Sequence, residues 1–528
     1  MAPTQPGYAS GRANRQRAVI AFLSDPATYS GVARVDRFET HGNLVFLAGK
    51  EAWKIKRAVQ FPYMDFSTVD KRHAACVREV EINRRFGSDL YLGCVPIARS
   101  ASGTLAFGCD GEIVEWAVHM LRFDQSALLS VIADQIGISN DLANALADVV
   151  HQAHQRAEPA TPCSGATPLR SLATSILATL RKSEIACPEL ALLARGLRAQ
   201  IETSAAMLDE RGAKGFVRRC HGDLHLANIV LRESRPALYD AIEFDEALAT
   251  IDTLYDLAFL LMDLDRHDQR LAANAVLNHY LWLSGTSLDL RGLVALPLFL
   301  ALRAAVRAMV TADRAAQENR EARERDLERA RAYLWTALDY LKWRPPQIVA
   351  IGGLSGTGKT TVAAHLAPWL GPAPGAIHLR TDLERKRLAG VGAFERLPTS
   401  AYAAEARKRV YQTLNGKAGL VLRARHAVII DAVFADQDMR QDAQALAREA
   451  GVSFHGIWLY ADQETLMKRV IGRRNDASDA TPEVVRAQLQ GDHGPFTAEW
   501  TAVDAAGSLA DTMARARMAL KASESQTP

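Results

Sequence analysis

Residues 353–360 read Gly-Leu-Ser-Gly-Thr-Gly-Lys-Thr and lie between an apolar run at 348–351 and a helix-like stretch at 361–366. This order of strand, glycine-rich turn and helix fits the pattern G-x-x-x-x-G-K-[ST] of a phosphate-binding loop. Glycines let the backbone curl, so that several N–H groups point at one phosphate at the positive end of a helix. The stretch therefore predicts a strand–loop–helix unit that holds a nucleotide phosphate.

The sequence around this loop predicts the architecture of the C-terminal part of the chain. Short apolar runs at 348–351, 427–430 and 456–460 alternate with helical patterns. The alternation is typical of a parallel sheet with crossover helices, so we expect a P-loop α/β sandwich. Pro345 and Pro346 end the preceding helical block, because proline cannot continue a helix, and they mark a boundary.

The loop supplies candidate ligands for ATP and Mg²⁺. Lys359 would neutralise the outer phosphates, which makes it a candidate catalytic residue as well, and the Thr360 hydroxyl would ligate Mg²⁺. The other residues expected to bind the nucleotide here are Gly353, Ser355, Gly356, Thr357, Gly358 and Thr361.

Charged residues follow the next two strands. Asp431 ends the apolar run 427–430, where an acid would lie near the Mg²⁺, although an aspartate at a strand end is often only a cap. Asp382 follows a predicted strand at 377–379 and is a candidate proton acceptor for a substrate hydroxyl, with Arg385 orienting an anion. The alternative is a surface helix that Asp382 caps.

Three arginines, Arg469, Arg473 and Arg474, lie on a helix and could close over the phosphates as a lid. The alternative is a solvated basic face. Together with the loop, these residues resemble the small P-loop kinases of the zeta-toxin, chloramphenicol phosphotransferase and polynucleotide kinase group over about 345–515. The resemblance implies that the Asp-x-x-Arg at Asp382 serves the acceptor hydroxyl and that lid arginines contact the nucleotide.

A second motif, His-Gly-Asp-Leu-His-Leu-Ala-Asn, occupies 221–228. Its D-x-x-x-x-N spacing is that of a kinase catalytic loop. The motif resembles that of aminoglycoside phosphotransferases and their choline, homoserine and fructosamine kinase relatives, over roughly 30–340. The resemblance implies that Asp223 is the catalytic base, that Asn228 is a metal ligand and that Asp256 ties its helix to the loop.

The resemblance also implies a second metal carboxylate, at an Ile-Asp-Phe strand end. Here a predicted strand over 237–244 ends in Ile242-Glu243-Phe244-Asp245, so a glutamate stands where the family has aspartate. Glu243 can still coordinate a metal, and Asp245, on the same strand face, could substitute for it. This departure leaves room for a weak or inactive kinase.

Further upstream, Lys54 and Lys56 share one face of a predicted strand. One of them is expected to touch the α- and β-phosphates; the sequence leaves the choice open, and we favour Lys56. Glu79, inside a predicted helix, is the expected partner of that lysine. The alternative is an ordinary exposed lysine–glutamate pair.

Composition limits the function classes. The 528 residues are 48% hydrophobic and 23% charged with a net charge of +3, which gives no footprint for bulk nucleic acid, although a polynucleotide end stays possible as an acceptor. The six cysteines include no C-x-x-C pair, so a reducing cytoplasm is favoured. The apolar run 292–302 contains a proline and is followed by arginines, so we expect a buried helix and no membrane partner.

The sequence thus predicts two modules: an α+β domain of the protein-kinase-like, aminoglycoside phosphotransferase fold at 18–343 and a P-loop α/β kinase domain at 344–520, with tails at 1–17 and 521–528. The whole resembles bacterial proteins described as bifunctional aminoglycoside phosphotransferase/ATP-binding proteins. We expect a cytoplasmic enzyme that transfers the γ-phosphate of ATP to a hydroxyl of a small molecule. The alternatives are an N-terminal pseudokinase that regulates the P-loop domain, and a P-loop switch without an acceptor.

Overall fold

The computed structural model describes residues 9–40, 42–61, 64–86, 89–108, 111–316, 319–472 and 477–524. The helices are, in chain order, α1 Ala9–Ser24, α2 Val69–Arg85, α3 Leu129–Gln135, α4 Asn140–Arg156, α5 Ala166–Leu180, α6 Leu190–Ala213, α7 Glu246–Ala249, α8 Thr253–Arg266, α9 Arg270–Ser284, α10 Ser287–Gly292, α11 Leu296–Ala315, α12 Arg320–Tyr340, α13 Lys359–Leu366, α14 Thr381–Leu388, α15 Ala404–Arg423, α16 Gln437–Ala450, α17 Gln463–Ile471, α18 Pro482–Gln490 and α19 Leu509–Glu524. The strands are β1 Val35–Glu39, β2 Asn43–Ala48, β3 Glu51–Lys56, β4 Gln60–Phe61, β5 Met64–Asp65, β6 Tyr91–Arg99, β7 Leu105–Phe107, β8 Glu112–Leu121, β9 Val217–Arg219, β10 Ile229–Arg232, β11 Arg235–Leu238, β12 Thr250–Asp252, β13 Gln347–Gly353, β14 Ile377–Arg380, β15 Val428–Asp431, β16 Ser453–Tyr460 and β17 Trp500–Asp504.

The chain divides into two compact units. Unit 1 takes its described residues from Met1–Cys163 and Gly212–Asp263, and unit 2 takes its residues from Ser164–Arg211 and Leu264–Pro528. Pro345 lies inside unit 2, between the end of α12 and the start of β13. A functional boundary at 343/344 therefore stays a prediction.

The first part of unit 1 is a six-stranded antiparallel sheet in the order β1-β2-β3-β8-β6-β7. Successive side chains of β3 face opposite sides of this sheet. Trp53 packs in the core cluster that includes α1, whereas Ala52 packs in the cluster that includes α2. Lys54 and Lys56 are two and four residues after Ala52, so they lie on the same face of the strand and point toward α2.

The second part of unit 1 holds the loop at 221–228. This loop joins β9, which pairs with β12, to β10, which pairs with β11. The strand expected over 237–244 is shorter than predicted and ends with β11. The reason is Asp240, whose φ of +59° lies in the left-handed region and turns the chain out of the extended conformation.

Unit 2 is built on a five-stranded parallel sheet in the order β14-β15-β13-β16-β17. All four residues 348–351 of β13 are fully buried, as expected for a central parallel strand covered on both faces. Ile351 pairs in register with Asp431 of β15. The carboxyl ends of β13 and β15 therefore meet at one edge, where the phosphate loop and Asp431 lie.

Among the described residues, one stretch of unit 2, Ser287–Ala315, is long and apolar enough to cross a membrane by length and composition alone. However, 67% of its most apolar window is buried inside the structure, and the core helices of soluble proteins pass the same test. The stretch contains α11, which packs against α12. The buried helix expected at 292–302 is thus present in α11 and the turn before it.

Candidate active sites

Two lysines of β3 share one carboxylate of α2. Lys54 Nζ lies 2.8 Å from Glu79 Oε1, and Lys56 Nζ lies 2.6 Å from Glu79 Oε2. All three side chains are buried, so an ordinary exposed ion pair does not describe this site. Burial alone favours the neutral carboxyl, but the two lysines lower the pKa of Glu79 to about 2. The sequence left open which of Lys54 and Lys56 pairs with Glu79, and the structure shows that both of them do.

Asp240 is a site residue that the sequence analysis missed. Its Oδ1 accepts a hydrogen bond from Lys54 Nζ at 2.6 Å, and its backbone N–H donates to the Tyr91 hydroxyl at 3.1 Å. The carboxylate is nevertheless 44% exposed, so it is free on one side to meet a cation. The available signal was an aspartate two residues after β11, the second strand that follows the loop at 221–228. The resemblance of residues 242–244 to Ile-Asp-Phe pointed to Glu243 instead.

Glu243 and Asp245 have different surroundings. Glu243 forms an ion pair with Lys56, and its side chain is 8% exposed. Asp245 Oδ1 accepts hydrogen bonds from the backbone N–H groups of Ala247 at 2.8 Å and Leu248 at 3.3 Å, and so caps α7. The expectation that both lie on one strand face is wrong, because the strand ends before either residue.

The loop at 221–228 brings Asp223 and Asn228 together. Asn228 Nδ2 donates to Asp223 Oδ2 at 2.9 Å and to the Asp223 carbonyl at 3.0 Å. Both bonds use the nitrogen, so they do not engage the amide oxygen, which is the atom that an asparagine offers a cation. His221 Nε2 lies 3.0 Å from the Tyr239 carbonyl and braces the loop. The Asp223 side chain is 40% exposed and is accessible to a substrate.

Two buried carboxylates of α8 anchor this loop. Asp256 accepts hydrogen bonds from the backbone N–H groups of His221 at 3.1 Å and Gly222 at 2.9 Å. Asp263 accepts one from the Leu226 N–H at 2.9 Å. Hydrogen bonds to an ionised acceptor are the stronger kind. The predicted tie between Asp256 and the loop is confirmed.

In unit 2 the phosphate loop has the backbone that its glycines permit. Gly353 and Gly356 have φ values of +138° and +94°. A Cβ on Gly353 would lie 2.4 Å from the Leu459 carbonyl oxygen, so another residue would not fit there. Helix α13 begins at Lys359, and Lys359 Nζ donates to the Leu354 carbonyl across the loop at 2.9 Å. The loop therefore ends on a helix N-terminus, as a phosphate site requires.

Asp431 is the centre of the candidate metal site in unit 2. Its Oδ2 accepts a hydrogen bond from the Thr360 hydroxyl at 2.7 Å and lies 3.3 Å from His378 Nε2. Arg380 Nε is 3.8 Å away. Burial opposes ionisation, but the bond to His378 and the nearby cations lower the pKa of Asp431 to about 2. The carboxylate is thus ionised, and its contacts with Thr360 and His378 go beyond those of a strand-end cap.

Asp382 lies on the first turn of α14, whose N-cap position is Arg380, so Asp382 is not the cap. Arg385 Nη1 lies 3.2 Å from Asp382 Oδ1, and the guanidinium stacks 4.5 Å from the ring centroid of Tyr402. Burial raises the pKa of Asp382, against the opposing effect of Arg385. A carboxylate whose pKa is raised is the better proton acceptor.

The predicted lid is described only in part. Arg469 Nη2 donates to the Gly507 carbonyl at 3.3 Å. Arg473 and Arg474 lie outside the described residues.

The sequence analysis also missed a buried ion pair next to the predicted acceptor site. Lys386 Nζ lies 2.8 Å from both carboxylate oxygens of Asp479. The same carboxylate accepts hydrogen bonds from the Tyr402 hydroxyl at 2.6 Å and the Leu397 N–H at 3.1 Å. We call these four residues the Asp479 cluster. No sequence pattern signals it, because Asp479 lies 77 or more residues after the other three members.

Comparison with known proteins finds a family match in the C-terminal part of the chain and relatives along most of its length. Residues 348–493 match the family model described as an AAA domain. Uncharacterized protein Rv2004c from Mycobacterium tuberculosis and Uncharacterized protein Mb2027c from Mycobacterium bovis are each 29% identical over 464 residues, covering 86% of this chain and 89% of the relative.

Two solved structures each match part of the chain. A choline/ethanolamine kinase family protein from Mesorhizobium loti is 14% identical, with a TM-score of 0.38, and the match covers 62% of this chain and 99% of that one. A gluconokinase from Sinorhizobium meliloti 1021 is 18% identical, with a TM-score of 0.25 and coverage of 35% and 99%.

The predicted two-domain α/β architecture, with a P-loop parallel-sheet domain at the C-terminal end, is confirmed. The phosphate-binding loop and the AAA domain match support nucleotide binding by the C-terminal part of the chain.

Proposed function

We propose that the chain is an ATP-dependent phosphotransferase with two sites, each of which moves the γ-phosphoryl group of ATP to a hydroxyl of a small molecule. One observation carries the proposal: each unit places an accessible carboxylate near oxygen donors suited to a metal. In unit 1 the carboxylate is Asp223, hydrogen-bonded to Asn228. In unit 2 it is Asp382, whose ionisation Asp431 and Lys359 both influence.

The candidate ligands at both sites fit Mg²⁺, because they are carboxylate, amide and hydroxyl oxygens. In unit 1 the ligands would be Asn228 and Asp240, with Glu243 next to them. In unit 2 they would be Thr360 and Asp431. When bound, Mg²⁺ neutralises phosphate charge. We favour Asp240 over Asp245 because the Asp245 carboxylate is already used by two backbone N–H groups.

The lysines of unit 1 receive different roles. Lys54 bridges Glu79 to Asp240, whose carboxylate is partly exposed, so Lys54 is the lysine that can reach a phosphate. Lys56 is fully buried between Glu79 and Glu243. We therefore assign phosphate binding to Lys54 and a structural role to Lys56, contrary to the preference from sequence alone.

In unit 2, Lys359 and the loop N–H groups bind the nucleotide phosphates. Asp382 takes the proton of the acceptor hydroxyl as phosphoryl transfer proceeds, and Arg385 orients the acceptor. The stacking of Arg385 on Tyr402 fixes the direction of the guanidinium. Catalysis then rests on positioning and charge stabilisation rather than on covalent chemistry by the protein.

The test is phosphoryl transfer from γ-labelled ATP to a panel of hydroxylated small molecules, using the full chain and its Asp223→Asn, Asp382→Asn and doubly substituted variants. Each single change should abolish transfer to a different subset of acceptors, because each removes one proton acceptor while keeping size and hydrogen bonding. A double variant that transfers phosphate at the wild-type rate would refute the proposal.

A second candidate function for unit 1 is nucleotide binding without transfer, with a regulatory effect on the P-loop domain. The observation that favours it is Glu243, which is tied to Lys56 where the family carries an aspartate for the metal. This function predicts that Asp223→Asn leaves every transfer unchanged while unit 1 still binds ATP.

A further inference from the structure

Strand β14 lies at one edge of the parallel sheet of unit 2. Its Ile377 N–H donates to the Ala427 carbonyl at 2.9 Å, toward the neighbouring strand. Backbone groups alternate sides along a strand, so the Ala376 carbonyl and the His378 N–H point away from the sheet. Edge groups of this kind need other partners when they are buried.

Two asparagines of α9 supply those partners. Asn278 Oδ1 accepts a hydrogen bond from the His378 N–H at 2.7 Å, and Asn278 Nδ2 donates to the Ala376 carbonyl at 3.4 Å. Asn274 Nδ2 donates to the same carbonyl at 3.1 Å. The Asn278 amide thus accepts and donates as a residue of a neighbouring strand would. A helix side chain therefore satisfies backbone groups that the edge of the sheet leaves without a neighbouring strand.

The contact extends along one face of α9 at intervals of four residues. One turn before Asn274, Arg270 Nε donates to the Pro368 carbonyl at 2.9 Å. One turn after Asn278, Trp282 Nε1 lies 3.4 Å from the Leu383 carbonyl. Residues four apart share a helix face, so a single stripe of α9 binds the main chain before, along and after β14.

The side chain of the residue that Asn278 holds lies in the candidate metal site. His378 Nε2 is 3.3 Å from Asp431 Oδ2, and the same oxygen accepts the Thr360 hydroxyl. A continuous series of hydrogen bonds therefore runs from Asn278 through His378 to Asp431. Any shift of β14 would move the imidazole that directs this carboxylate.

We propose that Asn278 is a positioning residue of the P-loop site and that α9, although it lies before the predicted boundary at 343/344, is a working part of the C-terminal phosphotransferase. The proposal rests on the proposed function of unit 2. Residues that orient a metal ligand from behind typically contribute 10–100-fold to metal affinity or activity.

The test measures binding of the fluorescent nucleotide mant-ATP to the full chain, with and without Mg²⁺. The part of the binding signal that Lys359→Ala abolishes is assigned to the P-loop site, and its affinity is compared between variants. Asn278→Leu removes the hydrogen bonds to Ala376 and His378, together with those to Asn274 on the same helix, and should weaken the Mg²⁺-dependent affinity about tenfold. The affinity without Mg²⁺ should stay within about twofold, since no phosphate contact is touched. Asn278→Asp keeps an acceptor for the His378 N–H but loses the donor to the Ala376 carbonyl, so its loss should lie between those of wild type and Asn278→Leu.

Val276→Ala is the matched control, because Val276 is buried on the same helix and its truncation destabilises without touching β14 hydrogen bonds. It should lower Tm and leave the Mg²⁺ dependence unchanged. If Asn278→Leu lowers Tm but not the Mg²⁺-dependent affinity, or if Val276→Ala produces the same loss, Asn278 is only a structural cap and the proposal is wrong. If wild type shows no component that depends on Lys359, the proposed function of unit 2 itself fails.

Discussion

The metal assignment in unit 1 depends on single carboxylates. Asp240 contacts Lys54 and is partly exposed, whereas Asp245 caps a short helix. We expect Asp240→Asn to weaken ATP affinity in the presence of Mg²⁺ by about tenfold or more, since a ligand charge is lost. Asp245→Asn is the matched control and should leave the Mg²⁺-dependent affinity unchanged, because asparagine caps a helix about as well as aspartate does. Titration calorimetry with and without Mg²⁺ checks this, and a larger Mg²⁺-dependent loss from Asp245→Asn would reverse the assignment.

His426 makes unit 2 sensitive to acid. Its two ring nitrogens are buried without a hydrogen-bond partner among the described residues, and burial lowers the pKa of His426 from 6.5 to about 4. His426 therefore becomes protonated below about pH 6.5 in the unfolded chain, but only below about pH 4 in the folded chain. The neutral, buried His426 therefore does not reduce the free energy of unfolding above pH 6.5, and it reduces that free energy progressively as the pH falls toward 4. Between pH 7 and pH 5 the loss is about 2 kcal/mol.

We expect His426→Leu to remove this part of the pH dependence, because leucine has no proton to bind. Urea unfolding at pH 7 and pH 5 measures it as the difference between the wild-type and variant changes in the free energy of unfolding. Equal pH dependence in the two proteins would show that His426 is protonated or solvated in the folded state.

At the scale of elements, the Asp479 cluster ties α14 to the segments around it. Lys386 is 1% exposed, so removal of its partner leaves a buried charge unpaired. We expect Asp479→Leu to destabilise unit 2 by about 3 kcal/mol. Lys386→Met combined with Asp479→Leu should cost clearly less than the sum of the single changes, because no unpaired charge remains. Urea unfolding of the four proteins in this cycle measures the coupling, and additive effects would contradict the ion pair.

The elements also show which parts of the site the sequence could predict. The phosphate loop and the Asp223–Asn228 loop were predictable, because each places its functional residues within eight consecutive positions. Asp431 was predictable because the strand before it is a continuous apolar run. Asp240 was missed because a left-handed φ ended the strand early, and Asn278 was missed because its role depends on packing between segments about 100 residues apart.

At the scale of the whole molecule, the sequence motifs predicted two modules, and the fold contains one unit with an antiparallel sheet and one unit with the P-loop and a parallel sheet. The compact units do not follow the motif boundary, since residues 264–342 belong with the P-loop sheet in unit 2. Hydrogen bonds between α9 and β14 show the physical reason for this grouping. Periodicity predicts elements, but it does not show which hydrophobic or polar face a helix shares with which sheet.

The central claim is that one chain holds two ATP sites, and the number of ATP molecules bound tests it most directly. Equilibrium dialysis of the full chain with labelled ATP and saturating Mg²⁺ should give two equivalents for wild type and one for Lys359→Ala, because that change removes the phosphate charge only in unit 2. A single equivalent in wild type, or two equivalents that persist in Lys359→Ala, would contradict the account.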